Sequence, residues 1–163
     1  MKVLYFGGQK SGKSNLSEKK AIELSTTKPY YIATYDNSYV DDEMQKRVSK
    51  HQQSREDSFI TIEEPKDLTK IIKSSNTYLV DCLSMWLLNN IDLSEDELVL
   101  KLEELSKINA NIIFVLNDVT RGVIPLDKLS REYVDKTGII GQKVASFCDE
   151  VYEVKLGLGI QLK

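Results

Sequence analysis

The chain has 163 residues, 41% of them hydrophobic and 29% charged, with 25 acidic and 22 basic side chains for a net charge of −3. That length gives one domain, residues 1–163, large enough to bury a core, and the acidic balance argues against a nucleic-acid binder, which carries a basic excess. No run approaches the ~20 apolar residues that span a bilayer, and Gly7 and Gly8 interrupt the first apolar run, so neither a signal peptide nor a membrane span is expected and the protein is placed in the cytoplasm.

The first predicted strand, Val3–Phe6, runs into GGQKSGKS, residues 7–14, and a helical pattern over Lys13–Leu24 follows. Gly7, Gly12, Lys13 and Ser14 fall in the register of G-x-x-x-x-G-K-[ST]. Glycines let the backbone fold so that successive N–H groups point at phosphate oxygens. The helix that starts there adds its positive end. Lys13 reaches the outer phosphates, and Ser14 offers a hydroxyl to Mg²⁺. A chance Gly/Ser/Lys-rich turn would not need a strand before it and a helix after it; both are predicted here.

A strand over Tyr30–Thr34 precedes a helical pattern over Asp41–Arg55, with Asp41 or Asp42 as its cap. This segment holds the chain's one histidine, His51. At ~100° per residue, with Val40 at zero, Arg47 falls near ~340°, His51 near ~20°, Met44 near ~40°, Arg55 near ~60° and Val48 near ~80°. Every other position from 41 to 54 is polar and lies outside that arc. The histidine and both arginines therefore share the apolar face. One reading is a packing histidine with snorkelling arginines. The other is a neutral imidazole that attacks phosphorus, with Arg47 and Arg55 neutralising charge on the phosphate and the pyrophosphate leaving group.

A strand over Phe59–Glu63 and a helix over Asp67–Lys73 come next. The strand Tyr78–Cys82 ends in YLVDC, which puts Asp81 where a phosphate loop needs an acid for the metal shell; Asp81 could instead cap the short helix Ser84–Asn89. Met85 and Trp86 are assigned to the core. Cys82 and Cys148, each inside an apolar run, read as buried reduced thiols. The charges of the helix Glu95–Lys107 form a solvated face. The strand Ile112–Asn117 delivers Asn117, Asp118 and Arg121 to a strand end, where ligands bind in open α/β sheets. A helix over Ser130–Phe147, a strand over Val151–Lys155 and a hairpin around LGLG close the chain. Strands alternating with helices give an α/β fold with a mostly parallel sheet and helices on both faces.

Seven stretches together resemble the bifunctional adenosylcobinamide kinase/adenosylcobinamide-phosphate guanylyltransferases of cobalamin biosynthesis. They are GGQKSGKS, PYYIAT, DDEMQKRVSKHQQSR, TIEEP, VDCLSMWLLN, VLNDVTRGVIP and REYVDKTGIIGQKVA. The resemblance implies a P-loop NTPase-like, three-layer α/β/α domain, commonly a homotrimer. It implies two reactions: a nucleoside triphosphate, ATP or GTP, phosphorylates adenosylcobinamide, and GTP then guanylylates a histidine that passes GMP to the cobinamide phosphate. By position, His51 matches the guanylylated histidine. Nucleotide contacts fall on Phe6, Gly7, Gly8, Gln9, Lys10, Ser11, Gly12, Lys13 and Ser14, on Ala33, Thr34 and Tyr35, on Gln52, Gln53, Ser54 and Arg55, and on Glu63 and Asp81. Ser14 and Asp81 would hold Mg²⁺, largely through water, and Asp118 is a substrate contact. The sequence differs from the family's pattern at Asp81 and Asp118, where glutamates are common, and at Thr120, Arg121, Ile139 and Gly141. Two other readings use the same loop: a small-molecule kinase with a structural His51, and a nucleotide-binding module without chemistry.

Overall fold

The computed structural model describes residues 1–36 and 57–163. The predicted helix over Asp41–Arg55 lies outside them. The strands are β1 (Lys2–Gly7), β2 (Tyr30–Ala33), β3 (Ile60–Glu63), β4 (Thr77–Asp81), β5 (Asn111–Asn117), β6 (Glu150–Lys155) and β7 (Leu158–Gln161). The helices are α1 (Lys13–Glu23), α2 (Leu68–Ile71), α3 (Leu83–Asn89), α4 (Glu95–Lys107) and α5 (Lys128–Phe147). One sheet has the order β3-β2-β4-β5-β1-β6-β7, parallel except for the antiparallel β6–β7 hairpin. This is the P-loop type of α/β architecture that the sequence predicts.

The central strands show why the sheet is covered on both sides. β1 and β5 are almost continuously apolar, as strands buried on two faces must be. Leu4, Tyr78, Val80, Ile112, Phe114 and Leu116 pack with α3, α4 and α5. Val3, Tyr5, Leu79, Ile113, Val115 and Val154 pack with α1, on the other face. Alternate residues thus feed two cores, as the two-residue period of a strand requires. Trp86 and both cysteines are buried, and the thiols are unbridged.

Local chemistry sets the helix ends. Ser94 and Glu97 form a reciprocal capping box at α4, whose Leu98, Leu102 and Leu105 enter the core. Asp127 accepts from Ser130 N at 2.8 Å and starts α5 two residues earlier than the hydrophobic pattern suggests. The helix predicted over Asp67–Lys73 shrinks to Leu68–Ile71, because Ile72 turns extended to bury its side chain. At the LGLG turn, Leu156 and Gly157 both take positive φ, 54° and 81°, the backbone of a two-residue hairpin.

Candidate active site around the phosphate loop

β1, an interior strand, carries Phe6 to the C-terminal end of the sheet, and the loop Gly8–Gly12 turns from there into α1. Two glycines are required by close approach. A Cβ on Gly7 would run into the carbonyl oxygen of Val154. Gly12 has φ 101°, and a Cβ there would lie 3.0 Å from the Gly157 Cα. The β6–β7 turn therefore backs the loop, and Gly157 N donates to Ser11 O at 2.8 Å. Among the described residues no side chain caps α1, and no acid sits in its first turn, an N-terminus whose N–H groups and dipole suit an anion. Ser11 Oγ is buried with no hydrogen-bond partner among the described residues, a donor that a phosphate oxygen can satisfy.

Lys13 is buried and folds back over the loop, donating from Nζ to Gly8 O at 2.8 Å. Burial lowers its pKa, while the carboxylates of Asp81 and Asp118 pull the other way. Asp81 ends β4. Its Oδ2 accepts from the Tyr31 hydroxyl at 2.6 Å and lies 3.5 Å from Ser14 Oγ. The second contact is long enough to leave the serine oxygen available. Asp81 does not cap α3: Cys82 is the capping position and makes no side-chain cap bond. The Cys82 thiol, pushed up to about 11 chiefly by burial, stays protonated.

Ser14 and Asp81 are hard oxygen donors, as Mg²⁺ demands. No group of three or more His, Cys, Asp or Glu among the described residues could hold a metal. Mg²⁺ sites take one or two protein oxygens and complete their shell with phosphate and water.

Glu63, Ala33 and Asp81 lie in one register row across β3, β2 and β4. Just beyond, Thr34 Oγ1 both donates to Cys82 O and accepts from Cys82 N, each at 2.8 Å. Asn89 donates to Thr34 O at 2.7 Å and to Pro65 O at 3.0 Å, tying the β2 end to the segment after β3. The structure so gathers Phe6, Gly7, Gly8, Gln9, Lys10, Ser11, Gly12, Lys13, Ser14, Ala33, Thr34, Tyr35, Glu63 and Asp81 along one end of the sheet. His51, Arg47, Arg55, Gln52, Gln53 and Ser54 lie outside the described residues.

On the far side of the loop, Asp118 N donates to Gly7 O at 2.9 Å. The Asp118 carboxylate accepts from Thr120 Oγ1 at 2.8 Å and pairs with Arg121 Nε at 2.8 Å. Arg121 Nη2 also meets Glu153 Oε1 at 2.7 Å. A cavity of about 310 Å³ opens beside this cluster, between α5 and the sheet. The sequence reading missed the roles of Asn89, Tyr31 and Gly157. Asn89 ends VDCLSMWLLN and Tyr31 lies within PYYIAT, but neither stretch shows what these side chains bond.

Comparison with known proteins follows from this site. Residues 3–162 match the family model described as cobinamide kinase / cobinamide phosphate guanyltransferase. The bifunctional adenosylcobalamin biosynthesis protein CobP of Pseudomonas aeruginosa is 38% identical over 173 residues, covering 100% of this chain and 98% of its own. The corresponding CobU proteins of Escherichia coli and Salmonella typhimurium are 29% and 27% identical, each over its full length and that of this chain. The chain belongs to the cobinamide kinase / cobinamide phosphate guanyltransferase family.

Proposed function

We propose that this protein performs both family reactions: phosphorylation of adenosylcobinamide, then transfer of GMP from GTP to the resulting phosphate. The observation that carries the kinase half is the convergence of Lys13, Ser14 and Asp81 on one phosphate loop with an uncapped helix behind it. In that step the acceptor hydroxyl oxygen attacks the γ-phosphorus of ATP or GTP. The bond to the β–γ bridging oxygen breaks, the nucleoside diphosphate leaves and the hydroxyl proton is released. Lys13 and the loop N–H groups hold the phosphates in line. Ser14 and Asp81 would hold Mg²⁺, largely through water, and the bound ion would supply positive charge to the phosphates.

In the second step the neutral His51 imidazole attacks the α-phosphorus of GTP and expels pyrophosphate. A phosphate oxygen of the acceptor then displaces the histidine, breaking the P–N bond. Arg47 and Arg55 offset the charge that builds on the phosphates. Gln52, Gln53 and Ser54 join Thr34, Tyr35 and Glu63 around the nucleotide. The sequence match over the whole chain supports this half.

The protein acts in the cytoplasm and assembles as a homotrimer. Among the described residues, the loop before α5 exposes Val123, Ile124 and Leu126 almost completely, at 95%, 77% and 97%; contiguous apolar exposure of this kind marks association surfaces. Light scattering after gel filtration measures the assembly.

The test of function is turnover. Supplied with adenosylcobinamide, Mg²⁺ and ATP, the protein should yield the corrinoid phosphate by mass. Adding GTP should convert it to adenosylcobinamide-GDP. Unchanged corrinoid in both incubations would refute the proposal.

A further inference from the structure

We propose that the cavity between α5 and the sheet is the acceptor subsite, taking the edge of the corrinoid that carries the hydroxyl arm. The proposal rests on the two-step function above. The cavity exists because α5 presents Gly138, Gly141 and Ala145 toward Leu4, Phe6, Leu116 and Val151. The gap is tightest at Gly141, where a Cβ would already lie 3.1 Å from Leu116 Cδ2. Its walls are apolar, while Asn117, Asp118, Thr120 and Arg121 line its end beside the phosphate loop. A corrin edge has this mixed character, with methyl groups between amide arms.

The cavity adjoins the nucleotide site yet lies apart from it. The cavity shares Phe6 with the start of the phosphate loop, and Asp118 N bonds Gly7 O, so a group at the polar end is beside the γ-phosphate position. It lies on the β5–β1–β6 side of that loop, whereas Thr34, Glu63 and Asp81 lie on the β4–β2–β3 side. At its polar end Arg121 is held by ion pairs to Asp118 and to Glu153. At about 310 Å³ the space takes the edge and arm of the macrocycle, not the whole ring.

Filling the space is the test. Gly141→Leu narrows the cavity at Leu116. Gly138→Leu is a second filler that begins from ordinary contact, since a Cβ there lies 3.9 Å from Thr120 Cγ2. Both replace helix glycines and gain helix propensity. The expected result is a KM for adenosylcobinamide raised about tenfold or more, with the nucleotide KM and covalent labelling by GTP alone unchanged. Adenosylcobinamide KM values within about twofold of wild type in both variants, or a parallel rise in the nucleotide KM, would overturn the assignment. A wild-type protein that labels with GTP but turns over no corrinoid would remove the proposed function first, and this inference with it. Wild-type turnover with insensitive variants would remove the inference alone.

Discussion

Replacing Asn89 by alanine tests how the nucleotide side of the site is held. The Asn89 amide bonds two carbonyls, Thr34 O at 2.7 Å and Pro65 O at 3.0 Å. Each such bond contributes about 0.5–1.5 kcal/mol net, so the pair is worth about 2 kcal/mol. For a chain of this size that lowers the melting temperature by about 4–8 °C. The same loss frees the β2 end, which carries Thr34, from the segment after Glu63, so the variant should also bind nucleotide more weakly. Thermal melts and a fluorescent-nucleotide titration read the two effects separately. A melting temperature within 1 °C of wild type, roughly a quarter of the smallest expected loss, would refute the hydrogen-bond reasoning. Lowered stability with unchanged affinity would refute the link to the site.

Three further outcomes follow from other bonds. Tyr31→Phe removes the 2.6 Å hydrogen bond to Asp81; the Mg²⁺ concentration for half-maximal kinase rate should rise several-fold, with the KM for corrinoid unchanged. Ser94→Ala should cost about 1 kcal/mol in denaturant melts without altering either reaction, because among the described residues the Ser94 side chain bonds within its own capping box. Lys13 has a pKa below the usual ~10.4 of lysine, and phosphate needs its ammonium form. Nucleotide affinity should be full below that lowered pKa and fall as pH rises through it, before ordinary lysines titrate. An affinity that falls only where ordinary lysines titrate would contradict the role of Lys13.

What could be read in advance was local. A strand, a glycine-rich turn and a helix stand consecutively in residues 2–23, and the unbroken apolar runs of β1 and β5 are plain in the sequence. Asp81 was legible because it ends an apolar strand. What escaped prediction depends on partners distant in the chain. Asn89 reads as an ordinary helical residue until its two carbonyls, 55 and 24 positions away, are known. Gly157 looked like turn chemistry alone; its contact with Gly12 arises because β6 pairs with β1 and aims the hairpin at the loop. Gly141 differs from the family pattern and Gly138 does not, and only α5 packed on the sheet shows the space the two leave.

The most direct measurement of the central claim is covalent labelling with Mg²⁺ and GTP carrying ³²P at the α-phosphate, with γ-labelled GTP and His51→Ala alongside. The account predicts an acid-labile, base-stable label from the α-position only, absent in the variant. An unlabelled wild-type protein, under conditions where GTP demonstrably binds, would contradict it and leave His51 a structural residue of a kinase.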